Sequence, residues 1–508
     1  MKTYKYLLLL IGFSIVAGCS NLEEEPVGLL APDGFFKSKS DIQTAANAAF
    51  GHMTHEDFWG RKMSLTLMLR SDMVAIGDPT TSSRRIEHDE FRVPADNGMI
   101  SGYWLRVYQI IAAANQAIAG AEDVDASDAI KNPVTAQAYF ARAFAYFHLV
   151  RQFGDIPYVS EPVNDVEAAS SISKTSSADV YAKIIADLEF AKAWLPDTQP
   201  ARSIPAKSAA QSYLALVHLT MGNYPEAYAE AKDVINKQGT YNLDLESDFQ
   251  NLFNSASINN SLEPIFVLDF IGASNGDDGR DYQPALTGIR SDEQYGLGGG
   301  WSVAVPSLEV YNSWDDDDYR KEVSFDATGV FKGNREDFSI FRNFNSRAVN
   351  RPHIAKYTRS IGNTATGNGR GSEANYMMMR YAEVLLIGAE AANEIGDPDD
   401  VAHSWVNRVR ARARAGAAGS VPSASPADVS GLSQDAFRTM VLEERKLELA
   451  FEFKRWYDIA RRKLGDQVFG PSGLEVRPNF TSTRDYLFPL PADELARNPN
   501  LMPNNPGY

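Results

Sequence analysis

The sequence predicts a mostly α-helical fold, in which degenerate tetratricopeptide-like helix pairs form a scaffold and a loop-rich, aromatic-rich insert carries short strands. Segments with apolar residues at helical spacing fill residues 41–240 and return after residue 370. Residues 241–370 lie between them and are rich in glycine, aspartate, asparagine and aromatic residues. Because this composition favours turns and loops, we expect a helical body interrupted by one irregular insert.

Composition excludes several classes of function. The chain has 508 residues, a net charge of −17 and a single cysteine. A chain this acidic is a poor nucleic-acid binder, because the usual footprint on nucleic acid is a basic patch. One cysteine also excludes disulfides within the chain and zinc sites built from thiolates. We therefore expect no nucleic-acid partner and a fold stabilised by burial alone.

The N-terminus has the three-part layout of a secretory signal. Lys2 and Lys5 precede the apolar run 7–17, and small residues lead into Cys19. The run is too short to cross about 30 Å of hydrocarbon as a stable helix. Its ending, V-A-G-C, resembles a bacterial lipoprotein signal, whose cysteine becomes the lipid-modified first residue. We expect a signal peptide over 1–18; the alternative is a secretory signal with a cysteine there by chance.

The residues after the cysteine indicate where the protein is displayed. Glu23, Glu24 and Glu25 resemble the acidic export signal that directs Bacteroidota lipoproteins to the outer face of the outer membrane. The alternative is a solvated linker. Because a multiply acylated cysteine is a stable anchor, we expect residues 19–40 to be a lipidated acidic tether on the exterior of the cell.

Residues 41–240 are predicted to form helices that pack in pairs. Asp41 is a candidate N-cap ahead of an alanine-rich segment. Residues 206–235 contain two helical segments separated by Gly222-Asn223-Tyr224-Pro225, with alanines where the two helices must pack closely. This pattern is typical of a tetratricopeptide pair, although no strict 34-residue repeat is visible. Such arrays build binding surfaces more often than active sites.

The insert, residues 241–370, and the C-terminal part, residues 371–508, are predicted to differ in structure. In residues 241–370, "PIFVLDF" is predicted to be a short strand, and loops on a rigid scaffold are where binding groups concentrate. Residues 371–508 return to helices and end in a proline-rich tail. We expect this tail to lie against the body in an extended conformation.

Several motifs in order along the chain resemble the SusD/RagB family. They are "FGDIP" at 153–157, "RYAEVLLIGAEAANE" at 380–394, "NRVR" at 407–410, "ERKLELAFEFKRWYD" at 444–458 and "LFPLPADELARNPNLMPNNPGY" at 487–508. Two positions depart from the family pattern: Phe453 stands where the family usually has glycine, and Pro503 replaces its usual glutamine. The resemblance implies a single SusD-like domain over 41–508.

The resemblance also implies a function. Family members are surface lipoproteins that cap a SusC-like TonB-dependent outer-membrane transporter and capture nutrients, usually glycans, before import. Glycan capture is therefore the first hypothesis. The second is a peptide-binding protein, or one that serves mainly as the lid of such a transporter. A surface hydrolase is the third hypothesis.

No catalytic or cofactor motif supports the hydrolase hypothesis. The sequence lacks H-E-x-x-H, G-x-S-x-G and a P-loop. Glu444, Glu448 and Glu452 recur at i, i+4 and are interpreted as a salt-bridged helix face near Arg445 and Arg455. His52 with His55, and the run Asp315 to Asp318, suggest metal sites only weakly. We expect no enzyme activity, no metal and no cofactor.

Two segments are predicted to bind the ligand, because sugar rings stack on aromatic faces while their hydroxyls need polar partners. They are residues 78–98 and the part of the insert around Tyr295 and Trp301, regions in which the family places its glycan contacts. Trp301 follows three glycines, which favours display on a loop. The candidate ligand residues are Trp301, Tyr295, Phe91 as a second apolar face, Arg85 as a hydroxyl or carboxylate partner, and Trp59 at a helix end. The tryptophans within helical patterns are assigned to the core instead: Trp104, Trp194, Trp405 and Trp456.

Overall fold

The computed structural model describes residues 34–272, 279–290, 299–341, 347, 349–362 and 369–508. The predicted signal peptide, Cys19, most of the predicted tether and Tyr295 lie outside these residues. Within the described ranges, no helix is both long enough and apolar enough to cross a membrane.

The mostly helical prediction is confirmed, since eighteen α-helices dominate the described residues. The N-terminal half contains α1 Lys39–Met53, α2 Lys62–Leu69, α3 Ser83–Asp89, α4 Gly98–Asp123, α5 Asp128–Phe153, α6 Val166–Ala169, α7 Ser177–Trp194, α8 Lys207–Met221 and α9 Tyr224–Asn236. The remainder contains α10 Gln283–Thr287, α11 Leu308–Ser313, α12 Tyr319–Ser324, α13 Tyr381–Glu394, α14 Ala402–Ala415, α15 Gln434–Glu448, α16 Arg455–Arg462, α17 Gly465–Val468 and α18 Ala492–Arg497.

The long helices pack against their neighbours in chain order. Helix α1 lies on α4 and α5, α5 packs on α7, α7 on α8, and α8 on α9. Helix α9 then packs on α13, so the C-terminal helices continue the same stack. Gly222 ends α8 with a φ of 80°, a left-handed cap that lets the chain reverse into α9. The predicted helix pair on either side of Gly222 is confirmed.

Helix α1 starts three residues before the position predicted. Ser38 is the N-cap, and its backbone N–H donates to the carboxylate of Asp41 at 2.8 Å. Asp41 therefore occupies the third helical position of a capping box rather than the N-cap. Since α1 begins at Lys39, the last residues of the predicted tether belong to the folded body.

Five two-stranded antiparallel sheets lie within the described residues. The strands are β1 Val74–Ile76, β2 Ile156–Pro157, β3 Lys174–Thr175, β4 Pro264–Leu268, β5 Ala304–Pro306, β6 Phe325–Asp326, β7 Thr328–Phe331, β8 Asn334–Asp337, β9 His353–Ile354 and β10 Tyr376–Arg380. The pairs are β1–β5, β2–β3, β4–β10, β6–β9 and β7–β8. Strand β4 confirms the strand predicted at "PIFVLDF".

Buried ion pairs join the C-terminal helices to the insert. Glu448, the last residue of α15, accepts hydrogen bonds from Arg380 at 2.5 Å and Arg320 at 3.0 Å, and it also bonds Arg412. Glu444 bonds Arg320 at 2.6 Å. Burial alone would raise the pKa of Glu448, but Arg412, Arg380 and Arg320 together hold it well below its usual value.

The predicted salt-bridged helix face is confirmed for Glu444 and Glu448 but not for Glu452, which lies beyond the end of α15 and pairs with Arg380 and Lys356. The partners also differ from those expected. Arg445 pairs with Asp458 at 3.0 Å, and Arg455 pairs with Asp72 at 2.7 Å. Arg445 lies within α15 but contacts Asp458 and Glu383, and Arg455 lies beyond its end, at the start of α16.

The tryptophans assigned to helices follow the prediction closely. Trp104, Trp405 and Trp456 are buried in the main core, and Trp194 packs against it half-buried. The tail is docked as expected, although it includes the short helix α18: Asn505 Nδ2 donates to the carbonyl oxygen of Phe153 at 2.9 Å.

Candidate functional site

Pairing of β1 with β5 brings the two predicted ligand segments together. Ile76 lies opposite Ala304 in this pair. Beyond it, the backbone N–H of Gly77 donates to Val303 at 2.9 Å, and that of Asp78 donates to Ser302 at 2.7 Å. The start of segment 78–98 therefore touches the chain next to Trp301. The segment is not all loop, because α3 forms in its middle.

Trp301 is held by its backbone, and as a residue it is partly exposed while packing against the core. Its N–H donates to the carbonyl oxygen of Ala285 in α10 at 2.7 Å. The preceding Gly300 packs so tightly that a Cβ there would lie 2.3 Å from the backbone of Gly288. The indole lies 6.2 Å from the ring of Tyr282 at an angle of 45°. Trp301 therefore follows a position where only glycine fits, and Tyr282 beside it is buried.

Arginines surround these two rings. The guanidinium of Arg61 lies 4.9 Å from the centre of the Tyr282 ring, and that of Arg370 lies 5.9 Å from the Trp301 ring. Arg290 Nη2 donates to the carbonyl oxygen of Trp301 at 3.0 Å. We call these five residues the aromatic–arginine surface. Its donors suit hydroxyl or anionic oxygens, and its rings suit an apolar face.

Asp78 holds Arg290 of the aromatic–arginine surface in place through an ion pair. Its side chain is fully buried and bonds Arg290 at 3.0 Å, and it also pairs with Arg347 and Thr80. Burial would raise the pKa of Asp78, but the hydrogen bonds from Arg347 and Thr80 outweigh it and lower the pKa. Asp78 is therefore ionised at neutral pH, and it fixes the orientation of Arg290.

A second buried network lies directly behind Trp301. Ser302 has a φ of 48°, and its hydroxyl oxygen accepts from the backbone N–H of Arg290 at 2.9 Å. His353 lies 2.8 Å from the same hydroxyl. Burial lowers the pKa of His353 to about 3, so its ring is neutral at pH 7. Its Nδ1–H then donates to the carbonyl of Arg351 at 3.0 Å, and Nε2 accepts from Ser302.

Arg85 lies on α3 beside the aromatic–arginine surface. Its Nη1 donates to the hydroxyl of Thr81 at 3.0 Å. Burial lowers the pKa of Arg85 to about 10, with further contributions from Arg61 and Arg84. It lines a small hollow formed by Arg61, Lys62, Leu65, Arg84, Arg85 and Met99, which we call the cationic hollow. Arg61 belongs to both the hollow and the aromatic–arginine surface, so Arg85 and Trp301 are parts of one region.

The structure contradicts the predicted role of Phe91. Its side chain is fully buried, with its ring centre 4.8 Å from Phe469, 5.2 Å from Phe480 and 6.0 Å from Trp456. A φ of 55° at Phe91, just after α3, turns the side chain toward the core. It presents no face to a ligand.

The structure also contradicts the predicted ligand role of Trp59. Its side chain is buried, and its ring centre lies 5.2 Å from that of His148 and 5.3 Å from that of Phe453. Trp59 precedes Gly60, where a Cβ would lie 2.5 Å from a neighbouring carbonyl oxygen, so the chain is packed tightly inward here. Of the five candidates, Trp301 and Arg85 share one region, and Tyr295 lies outside the described residues.

Sequence reasoning missed Tyr282, Arg61, Arg290 and Arg370. No local motif marks them, because they meet only through β1–β5 pairing and the packing of residues 299–303 on α10. The one available signal was the density of glycine near Trp301, which indicates close backbone approach.

A larger cleft lies elsewhere, between α4 and the tail. Its volume is about 330 Å³, and its walls include Tyr108, Ile111, Val159 and Leu501. Trp104 borders the cleft but is 3% exposed, so little of its face is available. Because its lining is largely aliphatic, this cleft suits stacking of a sugar less well than the aromatic–arginine surface does.

The candidate metal positions are occupied by other contacts. His52 and His55 each hydrogen-bond a neighbour, and Asp318 pairs with Arg320. Within the described residues, no group of three or more potential ligands is placed to hold a metal ion.

Both family profiles and solved structures resemble this chain. A family profile described as "Starch-binding associating with outer membrane" matches residues 36–219, and one described as "SusD family" matches residues 342–508. Among solved structures, a SusD homolog from Bacteroides thetaiotaomicron aligns with a TM-score of 0.80 and 19% identity, covering 94% of this chain and 98% of that one. A laminarin-binding SusD-like protein aligns with a TM-score of 0.77 and 22% identity, covering 93% and 100%.

A curated relative is far more similar in sequence. SusD-like protein P2 from Formosa agariphila is 53% identical over 511 residues, covering 100% of both chains. Matched along its whole length by such a relative, and sharing the SusD fold, this chain belongs to the SusD family.

Proposed function

We propose that this protein captures glycans on the aromatic–arginine surface and passes them to a SusC-like TonB-dependent transporter in the outer membrane. The observation that carries the proposal is the partly exposed residue Trp301, which lies beside the buried ring of Tyr282 and has the guanidinium of Arg370 5.9 Å from the centre of its own ring. This arrangement provides an apolar platform for the C–H face of a sugar and donors for its hydroxyl oxygens.

Rigidity of the platform supports the proposal. Hydrogen bonds to Ala285 and Arg290 hold the backbone of Trp301, and Ser302 is bonded to buried His353. A ring held in place before binding loses little freedom when a ligand arrives. The relatives give further support: one structural neighbour is named as laminarin-binding, and one family profile as starch-binding.

In this proposal, Cys19 carries the lipid anchor and the acidic residues after it direct the protein to the outer face of the outer membrane. The helical scaffold, the lipid anchor and the aromatic–arginine surface then serve to bind the glycan at the cell surface, and the protein carries out no chemical reaction on it. Transfer to the transporter follows from the family resemblance.

A glycan array tests the proposal, followed by calorimetry and analysis of products. The mature chain carrying Cys19→Ser, which cannot be lipidated, should bind one class of polysaccharide and return it intact after long incubation. Selective binding of peptides with no glycan bound would support the peptide hypothesis instead. Appearance of shorter oligosaccharides would indicate a hydrolase.

A further inference from the structure

We infer that the captured glycan is anionic, and that Arg84 and Arg85, which line the cationic hollow, bind its carboxylate or sulfate groups while the sugar ring stacks on Trp301. This inference rests on the proposed function and narrows its ligand class.

The first observation is a pair of arginines without acidic partners. In the cationic hollow, Arg61 pairs with Glu56 at 2.6 Å and Lys62 pairs with Asp57 at 2.7 Å. By contrast, no carboxylate among the described residues lies within ion-pair distance of Arg84 or Arg85. Among the residues that the structure describes, the side chain of Arg85 bonds only the neutral hydroxyl of Thr81.

Arg84 is exposed, whereas Arg85 is partly buried. Acidic residues outnumber lysine and arginine, 66 to 49, and several buried arginines of this chain have carboxylate partners. Arg142 pairs with Asp187 at 2.8 Å, and Arg477 pairs with Asp89 at 2.7 Å. Like charges that are partly removed from water repel each other more strongly than they do in bulk solvent.

The lowered pKa of Arg85 agrees with its position beside other arginines. Its pKa is lowered to about 10 by burial and by the neighbouring charges of Arg61 and Arg84. A bound anion would remove this repulsion, whereas a neutral hydroxyl would not. Guanidinium groups also match the planar, two-oxygen geometry of carboxylates and the oxygens of sulfate esters.

The second observation is that Arg61 connects the hollow to Trp301 through the buried ring of Tyr282. Arg61 lines the hollow and lies 4.9 Å from the ring of Tyr282, which in turn lies 6.2 Å from that of Trp301. One saccharide chain could therefore stack on Trp301 and direct an acidic substituent toward Arg85. Neutral glucans would use only the aromatic half of this region.

Affinity electrophoresis and calorimetry of the Cys19→Ser chain test the inference. The probes are a uronate polymer, a sulfated galactan, the carboxyl-reduced and desulfated forms of each, laminarin and starch. At least one charged polymer should bind about tenfold or more tighter than its neutral form, as expected for charge-assisted hydrogen bonds. The uronate and sulfate arms distinguish the two sources of charge, and added salt should weaken binding.

Three variants locate the effect. Arg85→Gln should lose about tenfold in affinity for the charged polymer, and Arg85→Lys should retain part of it. Arg497→Gln is the matched control, because it removes an equal charge from an exposed arginine that pairs with Glu494 and borders the other cleft. Its affinity should remain at the level of the parent chain.

Other outcomes overturn the inference in distinguishable ways. Equal binding of charged and neutral forms, with Arg85→Gln unchanged and Trp301→Ala weakened, would reject the anionic class but keep glycan capture. Equal losses in Arg85→Gln and Arg497→Gln would mean that the hollow is not the site. If no polysaccharide binds, both the inference and the proposed function fail.

Discussion

The guanidinium of Arg70 explains why Phe91 faces inward although Glu90 and Arg92 flank it. Arg70 is fully buried, and its guanidinium lies 4.1 Å from the ring of Phe91, 4.8 Å from Trp456 and 4.6 Å from Phe488. Burial lowers the pKa of Arg70. Aromatic faces attract a desolvated cation by about 2 kcal/mol, so Phe91 is one wall of a cage that keeps this charge inside the protein.

Phe91 and Trp301 show what residue-level reasoning can and cannot predict. The three glycines before Trp301 predicted a loop, and Trp301 does lie in a loop before β5, although it packs partly buried against the core. Charged neighbours around Phe91 suggested exposure, but a φ of 55° reverses the direction of the chain at that residue. No sequence rule anticipates a positive φ at phenylalanine, since left-handed backbone is rare for bulky residues.

At the scale of elements, local signals predicted the helices well and distant pairings poorly. Gly222 marked the turn between α8 and α9, because glycine alone adopts the left-handed cap without strain. Strand β1 pairs with β5, which lies in a different part of the sequence, and this pairing places Asp78 beside Ser302. Each strand has three residues, too short for alternation to identify it or its partner.

The helix α15 carries the clearest stability prediction. Glu448→Gln removes the negative charge between Arg320, Arg380 and Arg412, leaving buried cations undercompensated. Breaking a buried ion pair costs about 3–5 kcal/mol. We expect the free energy of unfolding at pH 7 to fall by this amount in urea or guanidinium titrations.

The acid dependence of this variant follows from the lowered pKa. Because the folded pKa of Glu448 lies below its ordinary value of 4.5, its stabilisation is complete above pH 4.5 and is lost as the pH falls toward the folded pKa. Between pH 7 and pH 4, Glu448→Gln should therefore lose less stability than the parent chain. If Glu448→Gln lowered the free energy of unfolding by less than about 1 kcal/mol at pH 7, the prediction would be wrong, because breaking a buried ion pair costs more than that.

At the scale of the whole molecule, charge is distributed unevenly. The chain carries a net charge of −17, yet Arg61, Lys62, Arg84 and Arg85 meet in one hollow, and Arg61 also lies beside the buried ring of Tyr282, next to Trp301. An acidic body keeps the protein soluble and repels anions in general, while a local cationic region attracts them at one place. Neither the hollow nor its link to Trp301 is visible in the sequence, because α2, α3 and the insert meet only in the fold.

The proposed lipid anchor at Cys19 is the second prediction for the whole molecule, and it has a direct test. Cys19→Ala should move the protein from the membrane fraction to the soluble fraction and abolish labelling with fatty acid. Replacing Glu23, Glu24 and Glu25 with alanine should leave the protein anchored but protect it from external protease. Fatty-acid labelling of Cys19→Ala would reject the anchor, and unchanged protease access would reject the export signal.

The central claim is that Trp301 binds a glycan and is not merely a packing residue, and calorimetry on two aromatic variants tests it most directly. Trp301→Ala should weaken binding of the glycan selected on the array by about 1–3 kcal/mol, the range for stacking on an aromatic side chain, with the Tm nearly unchanged. Phe91→Ala is the control: it should lower the free energy of unfolding by about 3–5 kcal/mol and keep its affinity where it remains folded. A large fall in Tm for Trp301→Ala, with glycan affinity intact, would contradict the account.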